Sequence, residues 1–154
     1  GQAMSKPSDK LKALGISLPD VATPVGSYLP ALRVGDLVYT SGQLPLHEGR
    51  LTTGLVGGPI DEKAATAAAR VACLNALAAV ADIAGGIDAI TGIVRVMVFV
   101  ASSDGFTEQA AVANGASDLL AEIFDEQGRH VRSAVGVAVL PKNACVEVEL
   151  VASL

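Results

Sequence analysis

Near the C-terminus, one arginine and two glutamates are set among small and apolar residues. The first run is Arg132-Ser133-Ala134-Val135-Gly136-Val137-Ala138-Val139-Leu140-Pro141, and the second is Val146-Glu147-Val148-Glu149-Leu150. Both have the composition of short strands. Charges among such neighbours are costly to bury unless they are paired or meet a ligand. An arginine presents a planar fork that fits a carboxylate, and a nearby carboxylate can hold a water or move a proton. The plain alternative is that all three lie on a wet sheet face.

Period-2 alternation puts Arg132 on one face with Ala134, Gly136, Ala138 and Leu140. Ser133, Val135, Val137 and Val139 form the heavier face, which suits contact with helices. Glu147 and Glu149 share a face opposite Val146, Val148 and Leu150. Paired as a hairpin with Leu140 opposite Cys145, the two strands set Glu147 across from Ala138, roughly 20 Å along the strand from Arg132. A strand inserted between them does not shrink that gap. A site that uses both groups therefore needs a second subunit.

The preceding elements read as follows. Ser5 to Gly15 is a short helix with Ser8 as N-cap and Gly15 as stop, and Pro19, Pro24 and Gly26 mark a loop. Tyr28–Val34 and Leu37–Ser41 flank the turn pair Gly35-Asp36 as a hairpin, and another short strand follows near Leu51–Leu55. Gly54, Gly57 and Gly58 form a loop. Asp61 caps a helix that runs to about Ala84 and stops at Gly85-Gly86. Its stripe Ala68, Val71, Leu74, Leu77, Val80/Ala81 and Ala84 is core. Ile93–Val100 is a strand interrupted by Arg95. Thr107–Phe124 is the second long helix, packing through Ala113, Ala116, Leu120 and Ile123, and Gly128 ends the connection to the closing strands. This order predicts a single α+β domain without repeats.

The 154 residues suffice for one core, built from Ala, Val, Leu and Ile because aromatics are only 3% of the chain. A net charge of −5 and few stacking side chains argue against nucleic acid as the natural ligand. Arg70, Asn75 and Asp82 interrupt the longest apolar region, so no membrane span is expected. Gly1-Gln2-Ala3 before Met4 reads as a vector-derived scar, and no signal peptide is expected. Cys73 and Cys145 read as isolated core residues, which places the chain in the cytoplasm. His47 and His130 lack metal-ligand spacing, so no metal is expected, and no phosphate or dinucleotide loop is present. His47 reads as loop surface, whereas His130, two residues before Arg132, is a minor candidate for proton chemistry.

The run Arg-Ser-Ala-Val-x-Val-x-x-Leu-Pro followed by Val-Glu-Val-Glu resembles the C-terminal signature of the RidA (YjgF) family, also labelled endoribonuclease L-PSP. Tyr39-Thr40-Ser41-Gly42-Gln43 and Val98-Phe99-Val100 agree in order, and the likeness runs from about Tyr28 to the C-terminus. The wording around Val112–Asp118 and Gly128–Arg132 is closer to a less-studied branch. The resemblance implies a chorismate-mutase-like fold, with one mixed sheet backed by two helices and three chains in a homotrimer; residues 5–24 would be an N-terminal extension.

The resemblance further implies that Arg132 grips a substrate carboxylate and that Glu147 holds the attacking water. Ser41 and Gly42 match a Ser-Gly pair lining the pocket, Tyr28 a tyrosine near the first strand, and Asn114 a helix asparagine. Ala134 stands where many members carry cysteine, and His130-Val131 replaces the usual Pro-Ala. The implied activity is cofactor-free hydrolysis of reactive 2-enamino or 2-imino acids to 2-keto acids and ammonia. Two other readings stand beside it: a non-catalytic trimer that binds a small carboxylate or a protein partner, favoured by Ala134, and an endoribonuclease or translation inhibitor, disfavoured by the acidic charge.

Overall fold

A computed structural model describes residues 5–24 and 26–154. The vector-derived scar proposed for residues 1–3 therefore lies outside the described residues. In chain order the elements are α1 (Pro7–Ala13), β1 (Ala31–Val34), β2 (Leu37–Thr40), β3 (Leu46–His47), β4 (Arg50–Leu51), α2 (Glu62–Ala84), β5 (Gly92–Ala101), α3 (Gln109–Phe124), β6 (Val131–Val137) and β7 (Val146–Ser153). Five strands make one sheet in the order β1-β2-β7-β5-β6, and β3-β4 is a separate small hairpin. Only β5 and β6 pair in parallel within the main sheet; α3 makes the crossover between them. The α+β architecture with a mixed sheet is as expected.

α2 and α3 cover one face of the sheet. Asp61 caps α2, its side chain accepting from the Ala64 N–H at 2.8 Å, and Gly85 ends the helix in the left-handed region. By length and composition α2 could cross a membrane, yet 67% of its apolar window is buried inside the fold, where it forms the central core helix. Its true core face runs through Ala65, Ala68, Ala69, Ala72, Ala76, Leu77 and Val80, whereas Val71, Leu74 and Ala84 of the expected stripe are half-exposed. Ala68, Leu77, Val80 and Ala81 of that stripe are buried as expected; because the helix is apolar nearly all round, periodicity alone does not fix the edges of its inward side. The contact face expected for α3 is fully buried: Ala113, Ala116, Leu120 and Ile123.

Cys73 and Cys145 are free and buried, and desolvation pushes their thiols up to about 12 and about 11. They are inert packing groups.

Four expectations need correction. Ser8 does not cap α1; Lys6 occupies that position without a side-chain bond. Instead the Ser8 N–H and hydroxyl both donate to Asp88, at 2.8 and 2.6 Å, tying α1 to the turn after α2. Those two bonds hold the Asp88 carboxyl below its usual range. The second long helix begins at Gln109, two residues late, because the Gln109 amide donates to the Phe106 carbonyl and sustains a loop.

An inserted strand does not leave the axial gap unshrunk either: β5 lies between the closing strands and halves it. Finally, the two faces of β6 are reversed. Arg132, Ala134 and Gly136 pair with Val96, Val98 and Val100, all fully buried beneath the helices. The residues on that side are small because α3 presses on the sheet edge: a Cβ on Gly136 would lie 2.8 Å from Gln109 Nε2. The heavier face instead leaves Val131 and Val135 exposed.

α2 and α3 approach closely at Gly115, where an added Cβ would collide with the Thr66 carbonyl. Neither helix backbone can yield without repacking the core. Gly115→Ala should therefore cost about 1–3 kcal/mol, and a fall of roughly 3–10 °C in Tm is expected in thermal denaturation. An unchanged Tm would show that the contact is looser than the geometry requires.

Candidate active site

The functional residues assemble into two groups. The first lies where the chain leaves β2. Ser41 donates its backbone N–H to the Pro30 carbonyl at 2.8 Å and its hydroxyl to the Leu29 carbonyl, which ties the Tyr28 loop to the strand end. Gln43 then exchanges backbone bonds with Val148 at 2.8 and 2.9 Å, so that residues 41–43 run alongside β7. This crossing brings Gly42 onto the Glu147 side chain: a Cβ there would sit 2.7 Å from the carboxyl group.

A cavity of about 130 Å³ opens at this point, lined by Tyr28, Gly42, Gln43, Asn75, Lys142 and Glu147, with apolar walls from Ala22, Pro24, Pro30, Leu44, Leu46 and Leu51. Tyr28, Gly42 and Glu147 thus line one cavity. Ser41 does not line the cavity; its polar groups are used internally.

Glu147 projects from β7 on the face away from the helices, half-buried. Burial, and then the charge of Glu149, raise its carboxyl above the ordinary range. A carboxyl shifted in this direction holds a proton more readily than a free glutamate, which suits proton transfer.

The second group lies at the β6 edge, on the helix-covered side. Arg132 Nη1 donates to Asn114 Oδ1 at 2.8 Å and to Ser117 Oγ at 3.1 Å, and Nη2 donates to the Ala110 carbonyl at 3.4 Å. His130 Nε2 lies 2.8 Å from the same Ser117 hydroxyl, and Nδ1 lies 2.6 Å from the Gly128 carbonyl. His130 is therefore built into the structure rather than left as a surface loop residue. Ala134 lies two residues along from Arg132 on the same face, packed against the core.

These two groups do not meet within one chain. Glu147 pairs with Phe99, which pairs with Val135, so its axial offset from Arg132 is three residues and not six. That is about 10 Å along the strands and about 10 Å across two strand spacings. The gap along the strand is thus halved relative to the hairpin arrangement. Distance is not the main barrier, however, because the two side chains leave the sheet on opposite faces.

Gln43, Asn75, Lys142 and Ser117 were not among the expected site residues. Ser117 had a legible signal, since it sits three residues after Asn114 and so on the same helix face. Asn75 donates to the Leu44 and Leu46 carbonyls, both at 3.0 Å, and supports the cavity wall. Lys142 is held at φ 56°, a strained value for a non-glycine residue.

Residues 8–154 match the family model described as "YjgF/chorismate mutase-like, putative endoribonuclease". The chain belongs to the YjgF/RidA family. Among YjgF/RidA relatives, protein TCP17 of Trypanosoma cruzi is 41% identical over 99% of this chain and 96% of its own. A 2-iminobutanoate/2-iminopropanoate deaminase of Dermatophagoides farinae is 34% identical over 87% of this chain and 91% of its own.

Among solved YjgF/RidA structures, a Shewanella oneidensis protein carrying the endoribonuclease label superposes with a TM-score of 0.94 at 37% identity, covering 97% of this chain and 100% of that one. Escherichia coli TdcF, solved with bound serine, has a TM-score of 0.60 at 25% identity, with 88% of this chain and 98% of that one covered. The chorismate-mutase-like fold inferred from the closing motif is the one observed.

The raised carboxyl of Glu147 has a consequence for stability. A glutamate whose folded pKa exceeds its unfolded value opposes folding when ionised, so stability falls as pH rises from 4.5 through the raised value. Glu147→Gln should accordingly raise Tm at pH 8, with the gain fading on acidification and absent below about pH 4.5. Paired thermal melts at pH 8 and pH 4 test this, and a gain of equal size at both would mean that ionisation is not the cause.

Proposed function

We propose that the protein hydrolyses small 2-imino or 2-enamino acids to 2-keto acids and ammonia, at a pocket closed by two subunits of a homotrimer. The observation that carries this reading is the split site: an anchored guanidinium and a half-buried carboxyl of raised pKa on opposite faces of one sheet. Arg132 of one subunit would bind the substrate carboxylate, and Glu147 of its neighbour would act on water beside Gly42 and Tyr28.

Water adds to the imine carbon as Glu147 takes its proton. Glu147 returns that proton to nitrogen, giving a carbinolamine; the hydroxyl proton then passes to nitrogen as the C–N bond breaks, so that ammonia leaves and the keto acid remains. The substrate is labile, so orientation and modest acid–base help suffice. Neither metal nor organic cofactor enters these steps. The deaminase relative and the serine bound to TdcF support a small amino-acid-like ligand.

The sheet face without helices supports the trimer. It leaves Tyr39, Val131 and Val135 exposed, which is surface a second copy could bury. Two buried free thiols suit a reducing compartment, so we assign the protein to the cytoplasm. Ala134, in place of the usual cysteine, favours the second reading, a trimer that binds a carboxylate without turning it over.

Subunit mixing provides the test. Arg132→Ala and Glu147→Gln should each abolish ammonia release from an imine generated in situ. Denatured together in equal amounts and refolded, they should regain about a quarter of wild-type activity, because sites pairing an intact arginine with an intact glutamate reform between unlike subunits. No recovery, with native trimer mass restored, would exclude a shared site. Carboxylate binding by wild type without turnover would favour the non-catalytic reading.

A further inference from the structure

We propose that Ser117 and His130 are positioning residues that orient the Arg132 guanidinium for carboxylate recognition, through the chain His130–Ser117–Arg132; this rests on the role given to Arg132 above. The direction of every bond follows from chemistry. The Gly128 carbonyl can only accept, so the His130 proton is on Nδ1. In the neutral ring Nε2 is then an acceptor, and the Ser117 hydroxyl must donate to it. That leaves the Ser117 oxygen lone pairs facing Arg132 Nη1, which can only donate. The histidine thus fixes the hydroxyl rotor, and the rotor fixes the arginine.

The result is a particular presentation of the fork. A guanidinium has five N–H donors. Nη1 has both of its hydrogens engaged, by Asn114 and Ser117, and one Nη2 hydrogen reaches the Ala110 carbonyl. Among the described residues Nε–H and one Nη2 hydrogen have no hydrogen-bond partner, which leaves two donors of the fork for a carboxylate. Ala110, Asn114 and Ser117 occupy one face of α3, so a rigid helix supports the whole arrangement. Without Ser117 and His130 the guanidinium could rotate, and substrate would have to order it on binding.

The experiment uses the full chain and 2-oxobutanoate, the keto-acid product, as a binding probe in calorimetry beside steady-state kinetics on the imine. Ser117→Ala and His130→Phe should each raise Kd and KM roughly tenfold, with kcat within about twofold, as expected for loss of a bond supporting a charge-assisted contact. Ser117→Thr keeps the hydroxyl and His130→Gln keeps an acceptor near the Nε2 position, so both should stay within about threefold of wild type. The double variant Ser117→Ala/His130→Phe should resemble either single one, because both break the same chain.

Unchanged affinity in folded Ser117→Ala, additive losses in the double variant, or failure of both conservative variants to restore affinity would each overturn the proposal. Wild-type protein that binds 2-oxobutanoate while all variants bind equally well would overturn the positioning role and leave the function above intact. Wild-type protein that binds no keto acid would overturn both.

Discussion

A sheet covered by helices on one face only forces alternate residues of every strand into different worlds. On β5 and β7 the inward positions are filled by Val96, Val98, Val100, Val146, Val148 and Leu150, all buried under α2 and α3. Glu147 and Glu149 must therefore face outward. Arg132, in register with Val96, must face inward, and it reaches α3 at the sheet edge. No rotamer change brings these charges together, since the sheet itself separates them. The chain holds two half-sites of opposite character, and the division follows from strand parity.

Each half-site shows how charge is tolerated near a core. Arg132 avoids an unpaired state by donating to a side-chain amide, a hydroxyl and a carbonyl on one helix face, so its desolvation is offset by oriented dipoles. Among the described residues Glu147 has no such compensation; burial, and then the neighbouring Glu149 carboxylate, raise its pKa. Functional groups commonly oppose folding in this way, while surrounding packing holds them in place. Here the counterweight is an alanine-rich interface between α2 and the sheet, with Gly115 allowing the helices to approach. The same absence of bulk lets a short chain keep its cavity at the strand ends, walled by residues that precede β1.

The two charged runs, their strand character and the α+β element order were legible because hydrophobic alternation, Asp61 and Gly85 are local signals. The closing motif also carried the family, and through it the fold. Less was legible around α2, where apolar residues cover most of the surface and no stripe stands out. Ser8 has the right residue type for a cap, yet its partner is Asp88, eighty positions away in sequence. The link of Ser117 to His130 and Arg132 was visible only once α3 and β6 were brought side by side.

Residue types and spacing alone determined which groups could bind an acid or move a proton, and that one chain could not unite them. The tertiary structure decided the reason. Insertion of β5 between β6 and β7 halves the axial gap, and one-sided helix cover then sets the parity, so that the smaller residues of β6 face α3 and the valines face outward. Strand order and helix placement depend on contacts far apart in sequence, which local alternation does not encode.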